Sequence, residues 1–169
     1  MADRWLWLRY SVVIVVGMVL QIGVFTDLRL FDVHPDVMLL IAVCAGATAG
    51  PARGAGVGFA SGLLLDLLLP GRFGVAALAY ALTGYAVGAA ASTVVRPARW
   101  ISVGLVAAGS AVGVLVYAAL AQLLGQPTLA DPRLGIIVGI VAGVNALLGL
   151  PTLAVCRWAE SDARSHLRT

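Results

Sequence analysis

Charge is scarce in this sequence. Only 11% of its 169 residues are Asp, Glu, Lys or Arg, against 61% that are hydrophobic. Water cannot be the main solvent of such a chain. Lysine is absent, all 11 cations being arginine. They stand at helix ends and in short loops rather than along one face, so the net charge of +3 reflects orientation in a membrane and not nucleic-acid binding. The two cysteines, Cys44 and Cys156, sit in or at the end of apolar runs with no CxxC neighbour, and read as small core hydrophobes rather than a disulfide or a metal site. His34 and His166 are far apart, which leaves no metal-ligand spacing. Phosphate-cradling loops, HExxH and nucleotide signatures are missing as well.

Long apolar runs are what the chain has in abundance. Lipid tolerates only helices or a closed barrel. Runs rich in Leu, Val and Ala without strict alternation argue for helices. The sequence predicts an all-α, polytopic membrane protein, a single integral membrane domain over residues 1–169, with six transmembrane helices at about 8–25, 36–50, 53–69, 74–95, 101–124 and 134–156 and a polar tail over 157–169. The second and third are short and Gly/Pro-interrupted, a pattern that points to a functional or re-entrant region. The first carries Trp5, Trp7 and Tyr10 as an interfacial belt and offers no small-residue cleavage site. Pro151 is expected to kink the sixth. Counting arginines by side places Arg4, Arg9, Arg53, Arg96, Arg99, Arg157, Arg164 and Arg168 inside, and Arg29, Arg72 and Arg133 outside. Both termini are therefore expected in the cytoplasm.

Glycines at 46, 50, 54, 58 and 62 recur every four residues, and the next step lands on Asp66. Positions four apart stack on one helix face, so this is a bare ridge ending in a carboxylate. Small-residue ridges allow close approach of another backbone in lipid. Gly54, Gly58 and Gly62, with Gly84 and Gly88 in the fourth helix and Gly139 and Gly143 in the sixth, are the candidate residues for helix packing or partner contact. An intramembrane carboxylate is costly and marks a candidate site. Asp66 lies about 20 Å up its helix from Arg53, near the levels of Gln21, Asp36, Arg72 and Asn145. These five are the candidate polar residues of an outer cavity, with structural pairing or capping of that cavity the first reading for Asp66, and helix capping the reading for Asp36, which follows Pro35 at a helix start. Gln21 reads first as a helix-to-helix hydrogen bond.

Enzyme chemistry finds no support. Ser61 has no membrane-embedded histidine to act as its base, and Asp66 paired with Asp36 or Asp131 lacks the polar context of an acid/base dyad.

The order of these features resembles the MreD family of rod shape-determining proteins. Gln21 and Phe25 stand late in the first helix, and Pro35 and Asp36 precede the second. Gly62, Leu63, Leu64 and Asp66 form a Gly-Leu-Leu-x-Asp ending, Gly74 follows the outer turn, and Gly84, Tyr85 and Gly88 lie in the fourth helix. The resemblance covers about residues 15–90; the last two helices match in length and hydropathy. It implies a non-enzymatic, cofactor-free component of the bacterial cell-elongation machinery in the cytoplasmic membrane. Its partners would be the bitopic protein MreC, with MreB, RodA and a penicillin-binding transpeptidase. The family fold is thought similar to the S-components of energy-coupling factor transporters. That makes a small-molecule binding subunit the alternative.

Overall fold

The computed structural model describes residues 2–23, 35–68, 73–93, 99–129 and 131–165. Six helices account for nearly all of them: α1 (Ala2–Gly23), α2 (Val37–Ala49), α3 (Pro51–Leu68), α4 (Val75–Ser92), α5 (Arg99–Leu123) and α6 (Leu134–Ser165). Four contain stretches long and apolar enough to cross a bilayer, namely Trp5–Gly23, Val75–Ser92, Trp100–Leu123 and Leu134–Ser161. With 13 residues, α2 is about 20 Å long, against a hydrocarbon core of about 30 Å. The outer surface is apolar, as lipid requires: Leu123 and Leu147 are 82% and 80% exposed.

Short α2 occupies the centre. Val37 through Gly46 are all buried, and α2 touches each of the other five helices. A helix surrounded by protein can be apolar all round, whereas one facing lipid and protein need only differ in side-chain size. Successive helices alternate in direction. Gly109 and Gly113 on α5 meet Val43 and Leu39 on α2, and Gly149 on α6 meets Val106 on α5.

The tightest packing joins α3 to α4. A Cβ placed on Gly54 would run into the backbone of Gly84, one on Gly58 into Tyr80, and one on Gly62 into Ala76, while Gly88 abuts Gly50 and Pro51. Each step of four along α3 is answered by a step of four back along α4. The two backbones thus lie against each other in one antiparallel register. Gly46 of α2 joins the same contact, its missing side chain leaving room for the Gly84 carbonyl. Three helices cross where only glycine fits. Dispersion between closely approaching backbones drives such association in lipid, where apolar side chains gain nothing by leaving one hydrocarbon for another.

Several expectations need correcting. The polar tail expected from residue 157 continues α6 to Ser165, because Ala159 and Glu160 on it are buried. Tyr10, expected in the interfacial belt with Trp5 and Trp7, is fully buried. Pro51, which the expected bounds of 36–50 and 53–69 left between two helices, is the first residue of α3, where its missing N–H costs nothing. Pro151 lies inside α6, as the expected sixth helix had it, and beside it the Thr152 hydroxyl donates to the Leu148 carbonyl at 2.8 Å.

Candidate functional site

Because α2 is short, it begins inside the protein, and its first N–H groups must find acceptors there. The Asp36 carboxylate accepts from Leu39 N at 2.9 Å. Gln21, from α1, accepts from Val37 N at 2.8 Å through its carbonyl and donates to Pro35 O at 2.9 Å through its amide nitrogen. The Tyr80 hydroxyl of α4 donates to the second Asp36 oxygen. Asn145 of α6 donates to Asp36 O at 3.3 Å and to Ser110 Oγ of α5 at 3.0 Å. Side chains from α1, α4 and α6 therefore meet at the start of α2, and α5 joins through Ser110 on Asn145. Three of the expected cavity residues, Gln21, Asp36 and Asn145, are brought together here, and their hydrogen bonds go to a helix end and to one another. Tyr80 and Ser110 complete the group. The sequence signalled Tyr80 only through its place four residues before Gly84.

Asp66 serves a different helix end. Its carboxylate accepts from the backbone N–H groups of Gly74, Ala76 and Ala77 at 2.9, 3.3 and 3.1 Å. Gly74, the residue preceding α4, sits at φ 93° with no side chain to cap with, so Asp66 supplies the cap from α3. A carboxylate at the positive end of a helix is favoured by both the orphan donors and the dipole. Asp66→Ala is expected to cost about 1–2 kcal/mol, read as a lowered thermal midpoint in detergent, with Asp66→Asn intermediate. An unchanged midpoint in Asp66→Ala would remove the cap's energetic role. Arg72 lies outside the described residues.

At the opposite end is a cluster that sequence reasoning missed. Glu160 of α6 is only 4% exposed. It forms an ion pair with Arg53 at the start of α3 and accepts from the Tyr10 hydroxyl of α1 at 3.0 Å. Arg9 Nη1 approaches the Trp158 carbonyl at 3.3 Å and its guanidinium stacks 4.9 Å from the Trp158 ring. Gly149, Leu153, Cys156 and Glu160 form one helical stripe, a period that would have revealed Glu160 had the tail been read as helix.

The candidate packing glycines divide into two groups. Gly54, Gly58, Gly62, Gly84 and Gly88 are consumed inside the chain by the α3–α4 seam, so a partner could reach them only by displacing a helix. Around Gly139 and Gly143, and around Gly135 before them, there is open space. That face of α6 carries a row of small residues with nothing packed in front of it among the described residues. Separately, α1, α2 and α6 enclose an apolar groove of about 420 Å³, lined among others by Val12, Val16, Leu20, Val37, Ile41, Pro151 and Trp158. Both cysteines are buried and free. Among the described residues no group of three or more His, Cys, Asp or Glu could hold a metal ion.

No curated protein and no solved structure matches the chain. The family model of the rod shape-determining protein MreD matches residues 3–132, a span that holds α1 to α5 together with Gln21, Asp36, Asp66 and the whole α3–α4 seam. With most of its length matched, and with apolar helices long enough for a bilayer, the chain belongs to the MreD family and is an integral membrane protein with a role in rod shape determination.

Proposed function

We propose that the protein is a non-enzymatic scaffold of the bacterial cell-elongation machinery. It crosses the cytoplasmic membrane six times as a single domain with both termini inside, and receives the membrane helix of MreC on the open glycine face of α6. Through that partner it supports peptidoglycan synthesis by RodA and a penicillin-binding transpeptidase, and connects to MreB. The alternating helix directions, together with the bias of arginine toward one set of ends, favour this topology.

The observation that carries the reading is how the intramembrane polar side chains are used. Gln21, Asp36, Asp66 and Asn145 serve helix ends, and Glu160 clasps three helices. A ligand-binding subunit needs polar groups converging on an enclosed space; among the described residues these polar groups converge on helix ends, and the groove between α1, α2 and α6 is apolar. Close approach of a second backbone needs small residues with nothing in front of them, and Gly135, Gly139 and Gly143 supply that. Co-purification tests the reading. Wild-type protein is expected to retain MreC. Gly139→Leu and Gly143→Leu, at positions where a side chain meets nothing in the chain, should retain it at least tenfold less with an unchanged thermal midpoint. Retention of a small molecule instead of MreC would overturn the scaffold.

A further inference from the structure

Asn145 is the single asparagine of the chain and is fully buried on α6. Its amide is only half used. The nitrogen donates to Asp36 O at 3.3 Å and to Ser110 Oγ at 3.0 Å, whereas Oδ1 accepts from nothing. The first of these bonds fixes which end of the amide is which, because a carbonyl in place of the nitrogen would face the Asp36 carbonyl. Ser110 Oγ on α5 is fully buried as well. It accepts from Asn145, and among the described residues its own proton meets no acceptor. One open acceptor and one open donor thus stand side by side in the interior, at the start of α2. A buried polar group left unpaired is destabilising, the more so where the surroundings are apolar.

The groups already present define what could fill the gap. An anion would need free donors, but Val37 N donates to Gln21 and Leu39 N to Asp36. A cation would face the Asn145 amide nitrogen and the positive end of α2, while both Asp36 carboxylate oxygens are taken, one by Leu39 N and the other by the Tyr80 hydroxyl. What remains is a small neutral molecule that donates to Oδ1 and accepts from the serine. Oδ1 and Nδ2 belong to one planar amide, and Nδ2 lies 3.0 Å from Ser110 Oγ. A molecule the size of water therefore reaches both open groups with ordinary hydrogen-bond lengths, and bridging such groups is what buried water does in proteins.

We propose that one water molecule is bound between Asn145 and Ser110, donating to Oδ1 of the first and accepting from the hydroxyl of the second. It completes a polar junction of α2, α5 and α6 and is separate from the glycine face of α6.

The unique asparagine makes the test site-specific. The full chain, isotopically labelled at asparagine alone and reconstituted in lipid vesicles, is measured by solid-state NMR with polarisation transferred from water protons. Cys44 and Cys156, both fully buried, are labelled in a parallel sample as the dry comparison. Transfer to the Asn145 side-chain carbonyl is expected to build up at least fivefold faster than transfer to the cysteine Cβ atoms. Ser110→Val removes the donor and fills the space beside it, and should bring Asn145 to the cysteine rate, with the thermal midpoint showing that the variant is folded. Build-up at Asn145 as slow as at the cysteines in the wild type would overturn the proposal and leave the carbonyl dry. Fast transfer that survives in folded Ser110→Val would overturn the bridge, since the water would then not need the serine. If Ser110→Val does not fold, the wild-type comparison decides alone.

Discussion

Gly58→Leu is expected to prevent folding. The side chain would have to occupy the backbone of Tyr80, and no rotamer escapes a clash that begins at Cβ. Overpacking a well-filled core costs roughly 1–3 kcal/mol when neighbouring side chains can shift. Here the neighbour is a helix backbone in fixed register, and one insertion forces α3 and α4 apart along the whole seam, so a loss above about 3 kcal/mol is expected. Size-exclusion chromatography in detergent should show aggregate in place of a monodisperse peak. Gly104→Leu is the control, since open space surrounds Gly104 and its peak should be unchanged. A monodisperse Gly58→Leu with the wild-type midpoint would mean that the two helices do not touch there. The same reasoning separates the glycines experimentally: loss of a partner by Gly58→Leu or Gly62→Leu reports a broken fold, and only substitutions at Gly139 and Gly143 report a docking face.

The second large effect lies at the other end of the molecule. Arg53→Met leaves the Glu160 carboxylate buried, with the Tyr10 hydroxyl its remaining partner among the described residues. Breaking a buried ion pair from one side costs about 3–5 kcal/mol, and the low end applies because the Arg53 side chain is 32% exposed. Glu160→Leu alone should cost less, since the abandoned guanidinium can turn to water. Combining Arg53→Met with Glu160→Leu should recover most of the loss, because the pair's attraction largely repays desolvation that the double variant never incurs. Thermal unfolding of the four proteins gives the coupling as a double-mutant cycle. Additive losses would mean that the two charges do not interact. Since Tyr10, Arg53 and Glu160 belong to α1, α3 and α6, destabilisation should appear first as increased hydrogen exchange in the last two turns of α6.

The sequence already contained the α3 ridge, because glycines four apart can only be a flat stripe on a helix. It did not say whose backbone fills the stripe. That answer depends on the matching period of α4, where Ala76 and Tyr80 precede Gly84 and Gly88 and conceal the repeat. Asp36 was legible as a cap, because Pro-Asp before an apolar run has one common use. Asp66 read as pairing or capping an outer cavity, and its use at the start of α4 was not legible, since its partners lie eight to eleven residues on, across a turn. Glu160 was hidden by its surroundings: among Arg157, Ser161, Asp162 and Arg164 a buried acid looks like one more solvated charge. Tyr10 was hidden similarly, sitting beside tryptophans that do face outward. The sunken start of α2 explains why so many polar groups gather around Asp36, and only the length of the folded helix shows it.

Cysteine cross-linking in membranes tests most directly whether the open face of α6 is the docking site. Single cysteines at Gly139 and Gly143, and as comparisons at Val16 in the groove and at Leu78 on the outer face of α4, would be paired with cysteines along the membrane helix of MreC. Cross-links are expected from positions 139 and 143 with a period of three to four residues on the partner helix, and none from 16 or 78. Cross-links from 16 or 78 with none from 139 or 143 would contradict the assignment.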